Sequence, residues 1–177
     1  MKILAIRGKN LASLEKAFEI DFTAEPLKSA GIFAITGSTG SGKSTLLDAL
    51  CLALFDQTPR TSHASENILI RDVGDKTLSQ RDCRNILRRG TSEGYAEVDF
   101  VSLSRETFRA RWSVKRAYNK AEGSMQSSEI RLRNLSTGHE EPGRKTELLA
   151  RIVDLIGLTF DQFTRSVLLA QGDFATF

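Results

Sequence analysis

Gly37-Ser38-Thr39-Gly40-Ser41-Gly42-Lys43-Ser44 is the most telling stretch of this 177-residue chain. It fits G-x-x-x-x-G-K-[ST], and each residue type in that pattern has a physical reason. The glycines let the loop wrap with successive N–H groups pointing inward, a nest for a β-phosphate. A helix starting at Lys43 adds its unsatisfied N–H groups and the positive end of its dipole. Lys43 carries a point charge toward the β- and γ-phosphates, and Ser44 offers its hydroxyl to Mg²⁺. Thr45 stands within reach of an α-phosphate. Average residue frequencies put a chance match in a chain this long on the order of a percent or less. The pattern therefore predicts a nucleoside triphosphate bound with Mg²⁺ along residues 37–45.

The flanks fit that context. Gly31-Ile32-Phe33-Ala34-Ile35-Thr36 is a continuous apolar run and predicts a central parallel strand covered on both faces. Residues 43–55 are apolar at helical spacing through Leu46, Leu47, Leu50 and Leu54, with no Gly or Pro. Strand, glycine loop and helix in this order predict an α/β P-loop NTPase. Upstream, residues 1–8 and 18–22 read as strands. Residues 56–93 read as irregular, with a loop over 58–62 and a short helix near 66–71. Strand-like stretches at 95–103, 107–116 and 128–135, separated by turn signals, predict an antiparallel β subdomain. Residues 145–156 predict an amphipathic helix stopped by Gly157. A helical turn follows at 160–164, then a short buried strand at 167–170.

At 40% hydrophobic and 27% charged residues, the composition is that of a soluble globular domain. No apolar run reaches the roughly 18 to 20 residues of a membrane helix, and the first residues are too short in apolar content for a secretory signal. A cytoplasmic protein is expected. Cys51 and Cys83 are too few and too far apart to imply a disulfide framework or a zinc site. The net charge of +3 is uneven: zero over residues 1–80, +5 over 81–133 and −2 over 134–177. Arg105, Arg109, Arg111, Lys115 and Arg116 could form a sheet face for a phosphate backbone, with 109 and 111 on one side of a strand. An ordinary solvated face fits the same residues. No four apolar residues precede an Asp-Glu pair, so the chain holds half of a hydrolytic site. It stops on the apolar Asp173-Phe174-Ala175-Thr176-Phe177, which reads as a cut inside a longer protein.

Several stretches together resemble the SMC-like ATPases, and among them the branch that works with a nuclease. They are Met1-Lys2-Ile3-Leu4 leading to Lys9-Asn10-Leu11, the strand ending Ile20-Asp21-Phe22, the glycine loop, Thr45-Leu46-Leu47-Asp48-Ala49-Leu50, and Thr58-Pro59-Arg60. The last is Phe163-Thr164-Arg165-Ser166-Val167-Leu168-Leu169-Ala170-Gln171-Gly172-Asp173-Phe174. The resemblance implies residues 1–177 as the N-terminal lobe of an ABC-type ATPase head, cut at the start of a coiled coil. It implies ATP and Mg²⁺ as ligands, with Gln171 as the Q-loop glutamine on Mg²⁺ and the attacking water. Asn10 and Ser13 fall in a segment near the nucleotide; turn formation explains them equally well. The implied partners are the protein's own C-terminal lobe, a second head, a metallophosphatase-type nuclease and double-stranded DNA, with nucleoid association and no membrane. The signature motif, the Asp-Glu strand and the switch histidine are missing, so this stretch alone is expected not to turn ATP over.

Other classes fit less well. Transporter ATPases place their Q-loop much nearer the glycine loop than the 128 positions between Lys43 and Gln171. A small-molecule kinase needs an arginine-bearing lid, for which residues 81–89 are a weak match among so many strands. A chromosome-organising or RecF-like ATPase without a nuclease partner shares the head and stays open.

Overall fold

The computed structural model describes residues 1–62, 64–65 and 67–166. In chain order the elements are β1 (Lys2–Lys9), β2 (Phe18–Asp21), α1 (Lys43–Phe55), α2 (Pro59–Ser62), β3 (Leu69–Arg71) and β4 (Thr77–Ser79). They continue with β5 (Glu93–Val101), β6 (Thr107–Lys115), β7 (Glu129–Asn134), α3 (Lys145–Ile156) and α4 (Phe160–Ser166). One sheet runs in the order β2-β1-β5-β6-β7 and is antiparallel at every junction, while β3 and β4 form a separate hairpin.

Period-two alternation gives the large sheet two unlike faces. On β6, Phe108, Ala110, Trp112 and Val114 are buried, and the residues between them are half-exposed. Register sets Phe100 opposite Phe108 and Val98 opposite Ala110, so the buried side continues onto β5. α1 packs on this side against β5 and β6, with α3 beside it. Every residue of α1 from 48 to 55 is buried, which makes it the spine of the domain rather than a surface helix. It ends at Asp56, in a left-handed conformation. An anion at a helix C-terminus is unfavourable. Here its carboxylate accepts from Trp112 Nε1 at 2.6 Å and Ser128 Oγ at 2.9 Å and pairs with Lys145 at the start of α3. Gly157 closes α3 at φ 76°, as expected; a Cβ there would lie 2.7 Å from Leu103 Cδ1.

The opposite face is charged, and several of the arginines that give residues 81–133 their excess are paired with carboxylates there, while Arg105 and Lys115 stay exposed. Arg7 bonds Glu19 at 2.7 Å and Asp99 at 2.8 Å; Arg109 grips Asp99 with two bonds of 2.6 and 2.8 Å; Arg111 bonds Glu97 at 2.9 Å. Burial pushes the Asp99 carboxyl up, but the bonds from Arg109 and Arg7 outweigh it and hold the group below the ordinary carboxylate range. Arg116, expected among the outward residues, is only 4% exposed and pairs with Asp72 at 2.6 Å.

Three further expectations are corrected. Within the loop expected at 58–62, Pro59–Ser62 form α2, because Pro59 suits the first turn of a helix. Where a helix is expected near 66–71, Leu69–Arg71 form the strand β3, paired to β4. The apolar run 31–36 forms no strand, parallel or otherwise: it makes no backbone hydrogen bond to any described residue, and Ile32 is 95% exposed. A strand exists only through a neighbour's ladder, and the sheet's edges are β2 and β7. The strand expected at 167–170 lies outside the described residues.

Candidate functional site

Gly42 takes φ 95° and ψ 10°, a left-handed turn that ends the loop and lets α1 begin at Lys43. Among the described residues no side chain caps the first turn of α1, and no acidic residue lies in it. Its N–H groups and the positive end of the dipole are thus left for an anion. Lys43 Nζ donates to the carbonyls of Gly37 at 2.7 Å and Ser38 at 2.8 Å, which folds the ammonium back over the loop. The Ser41 N–H closes a turn on the Ser38 carbonyl at 3.2 Å. Phosphate oxygens would meet an ammonium already delivered to the loop.

Thr39, Gly40, Gly42, Lys43, Ser44 and Thr45 line one cavity of about 410 Å³. Gly37, Ser38 and Ser41 stay out of the lining and shape the loop through the bonds just given. Ser13 joins the lining together with Ala12, from the turn after β1. Asn10, assigned the same place by resemblance, does something else. Its Nδ2 donates to the Glu93 carbonyl at 2.8 Å, and it is 9% exposed with φ 55°. It braces the turn and is not in the lining. Gln171 lies outside the described residues.

Arg60 also lines the cavity, a place the sequence alone does not give it. It belongs to α2, and its Nη2 meets Asp48 Oδ2 at 2.6 Å. Asp48 stands one helical turn beyond Ser44 on α1. Burial pushes its carboxyl above the ordinary range while Arg60 pulls the other way. The available signal is Pro59, a helix opener directly before an arginine and close behind α1. The lining thus supplies two cations, several hydroxyls and uncapped amides, a donor set suited to phosphates and to one ligand of Mg²⁺. Among the described residues no carboxylate lines the cavity, and no group of three or more His, Cys, Asp or Glu side chains is placed to hold a metal ion.

Comparison with known proteins points the same way. Residues 5–177 match the family model described as AAA domain. The SbcC component of the nuclease SbcCD from Pseudomonas aeruginosa is 54% identical over the whole chain, which covers 15% of that protein. The SbcC component from Rhodobacter capsulatus is 44% identical over the whole chain, covering 14% of it. The probable DNA double-strand break repair Rad50 ATPase of Aquifex aeolicus is 30% identical over the whole chain, covering 15% of it. The chain therefore spans about one seventh of the length of these relatives. No helix of the described residues is long and apolar enough to cross a membrane.

Proposed function

The chain belongs to the AAA-domain family, and we propose that it is the ATP-binding lobe of the ATPase in a DNA double-strand-break repair nuclease complex. One observation carries the reading: the uncapped start of α1, Lys43 and Ser44 converge on a single cavity of about 410 Å³. Loop amides and Lys43 hold the β- and γ-phosphates, Ser44 takes Mg²⁺, and Thr45 serves the α-phosphate. Gln171 completes the metal site from the far end of the stretch. The names of the relatives support the repair complex, with an SbcD-like partner supplying the nuclease chemistry. The cavity has no carboxylate of its own among the described residues, which fits a head completed by its C-terminal lobe and by a second head across the nucleotide. ATP then acts as a switch: γ-phosphate contacts close the heads, hydrolysis opens them, and DNA access to the nuclease follows. The setting is the bacterial cytoplasm, at the nucleoid.

The test is Lys43→Ala in the full-length protein, read by equilibrium ATP binding. Losing the charge-assisted contacts to two phosphates should weaken affinity by roughly a hundredfold, the equivalent of about 2.7 kcal/mol. Unchanged affinity would sink the assignment.

A further inference from the structure

The turn after β1 is held in an unfavourable conformation by residues from far along the chain. Asn10 and Ala12 both have left-handed backbones, φ 55° and 44°, a region that non-glycine residues seldom occupy. Ala12 and Ser13 line the phosphate cavity. The turn also lies close against the residue just before α1: a Cβ on Gly42 would fall 2.5 Å from Leu14 Cδ2 and 3.1 Å from Ser13 Oγ. It is a wall of the cavity, and its place fixes how closely the loop can be approached.

Residues 86–88 hold that wall. The Ala12 N–H donates to the Ile86 carbonyl at 2.7 Å, and the Arg88 N–H donates to the Asn10 carbonyl at 2.9 Å. The Arg88 side chain adds a second grip. Its Nη1 donates to the Ala12 carbonyl at 3.1 Å, and its Nη2 meets Glu15 Oε2 at 3.4 Å. One planar fork thus spans the turn on both sides of Ser13, which a lysine ammonium cannot do in the same geometry. Arg88 itself is not in the cavity lining.

We propose that Arg88 is a positioning residue of the nucleotide site. By holding the Ala12 carbonyl it keeps Ala12 and Ser13 seated against Gly42 and presets the phosphate cavity before nucleotide arrives. Preorganisation of this kind raises affinity because the ordering cost is met in advance. The proposal rests on the reading of the cavity as an ATP site.

The experiment titrates a fluorescent ATP analogue with Mg²⁺ into the full-length protein. Arg88→Ala should weaken binding about tenfold while the thermal midpoint of the ligand-free protein stays within a few degrees. Arg88→Lys, which keeps the charge and loses the fork, should show most of the same loss. Adding Ala12→Gly to either variant should restore most of the affinity, since glycine takes the left-handed backbone without being held there. Rescue at position 12 separates positioning from general stabilisation. If Arg88→Ala fails to fold, Arg88→Lys decides alone. Binding within twofold of wild type in the folded variants, or a loss that Ala12→Gly does not relieve, overturns the proposal. Lys43→Ala in parallel keeps the two readings apart: if it binds normally the ATP site itself falls, and if it alone loses binding only the role of Arg88 falls.

Discussion

Gly42 is where loop, helix and cavity wall meet, and two separate constraints act on it. Its φ of 95° lies where an L side chain costs about 1–2 kcal/mol. A methyl group there would also lie 2.5 Å from Leu14 Cδ2 and 2.9 Å from Leu14 Cγ, so the wall must move. Gly42→Ala should therefore lower ATP affinity at least tenfold, about 1.4 kcal/mol, and destabilise the fold by about 1–3 kcal/mol. Isothermal titration and denaturant unfolding of the same variant check both; normal affinity would mean the wall yields freely. The glycine requirement is legible in the sequence, because the loop pattern is local. The fates of Asn10 and Ser13 are not. They sit three positions apart in one turn, and what separates them is Glu93, whose carbonyl takes the Asn10 amide across 83 positions. Arg60 is hidden for a related reason, since its place depends on Asp48 holding it from within α1.

A buried clasp helps to fasten the β3–β4 hairpin. Arg116 at the end of β6 bonds Asp72, next to β3, through two bonds of 2.6 and 3.0 Å, with the side chains only 4% and 9% exposed. Asp72→Asn leaves a buried guanidinium facing a neutral partner and should cost roughly 3–5 kcal/mol. The hydrogen bonds from Arg116 hold the Asp72 carboxyl below the ordinary carboxylate range. A depressed folded pKa contributes stability that is complete above the unfolded value near 4 and is lost as pH falls through the folded value. Denaturant midpoints of wild type and Asp72→Asn should therefore differ most at neutral pH and converge as pH is lowered below about 4. A gap that stays constant across that range would remove the clasp as its cause. Long elements are readable because their signals are their own. α1 and α3 carry apolar spacing, α3 adds its glycine stop, and β5, β6 and β7 alternate. Three-residue strands have no period to read, and β3 exists because β4 and the Arg116 clasp hold it.

The five-stranded sheet and its helices leave one apolar run without a place. Phe33 leans on Phe22 with ring centroids 5.6 Å apart, but Ile32 is 95% exposed, Phe33 and Ile35 are each 47% exposed, and Leu47 on α1 is 38% exposed. Burying each such side chain contributes about 1.5–3 kcal/mol, so each of them favours being covered. The composition of the run is right for a strand buried on both faces. What is missing is a neighbour, which no local pattern can supply. The relatives are about seven times as long as the chain, and under the proposed function the neighbour comes from the C-terminal lobe. We therefore expect the amides of residues 32–36 to exchange at least ~1,000-fold more slowly in the full-length protein than in residues 1–177 alone, the difference between a paired strand and an open segment. The same pair of samples tests the chemistry. With no carboxylate in the described lining, ATP turnover should occur in the full-length protein and be negligible in residues 1–177. Equal exchange in both samples would show that the run stays unpaired, and robust Mg²⁺-dependent turnover by residues 1–177 would put a catalytic base inside them.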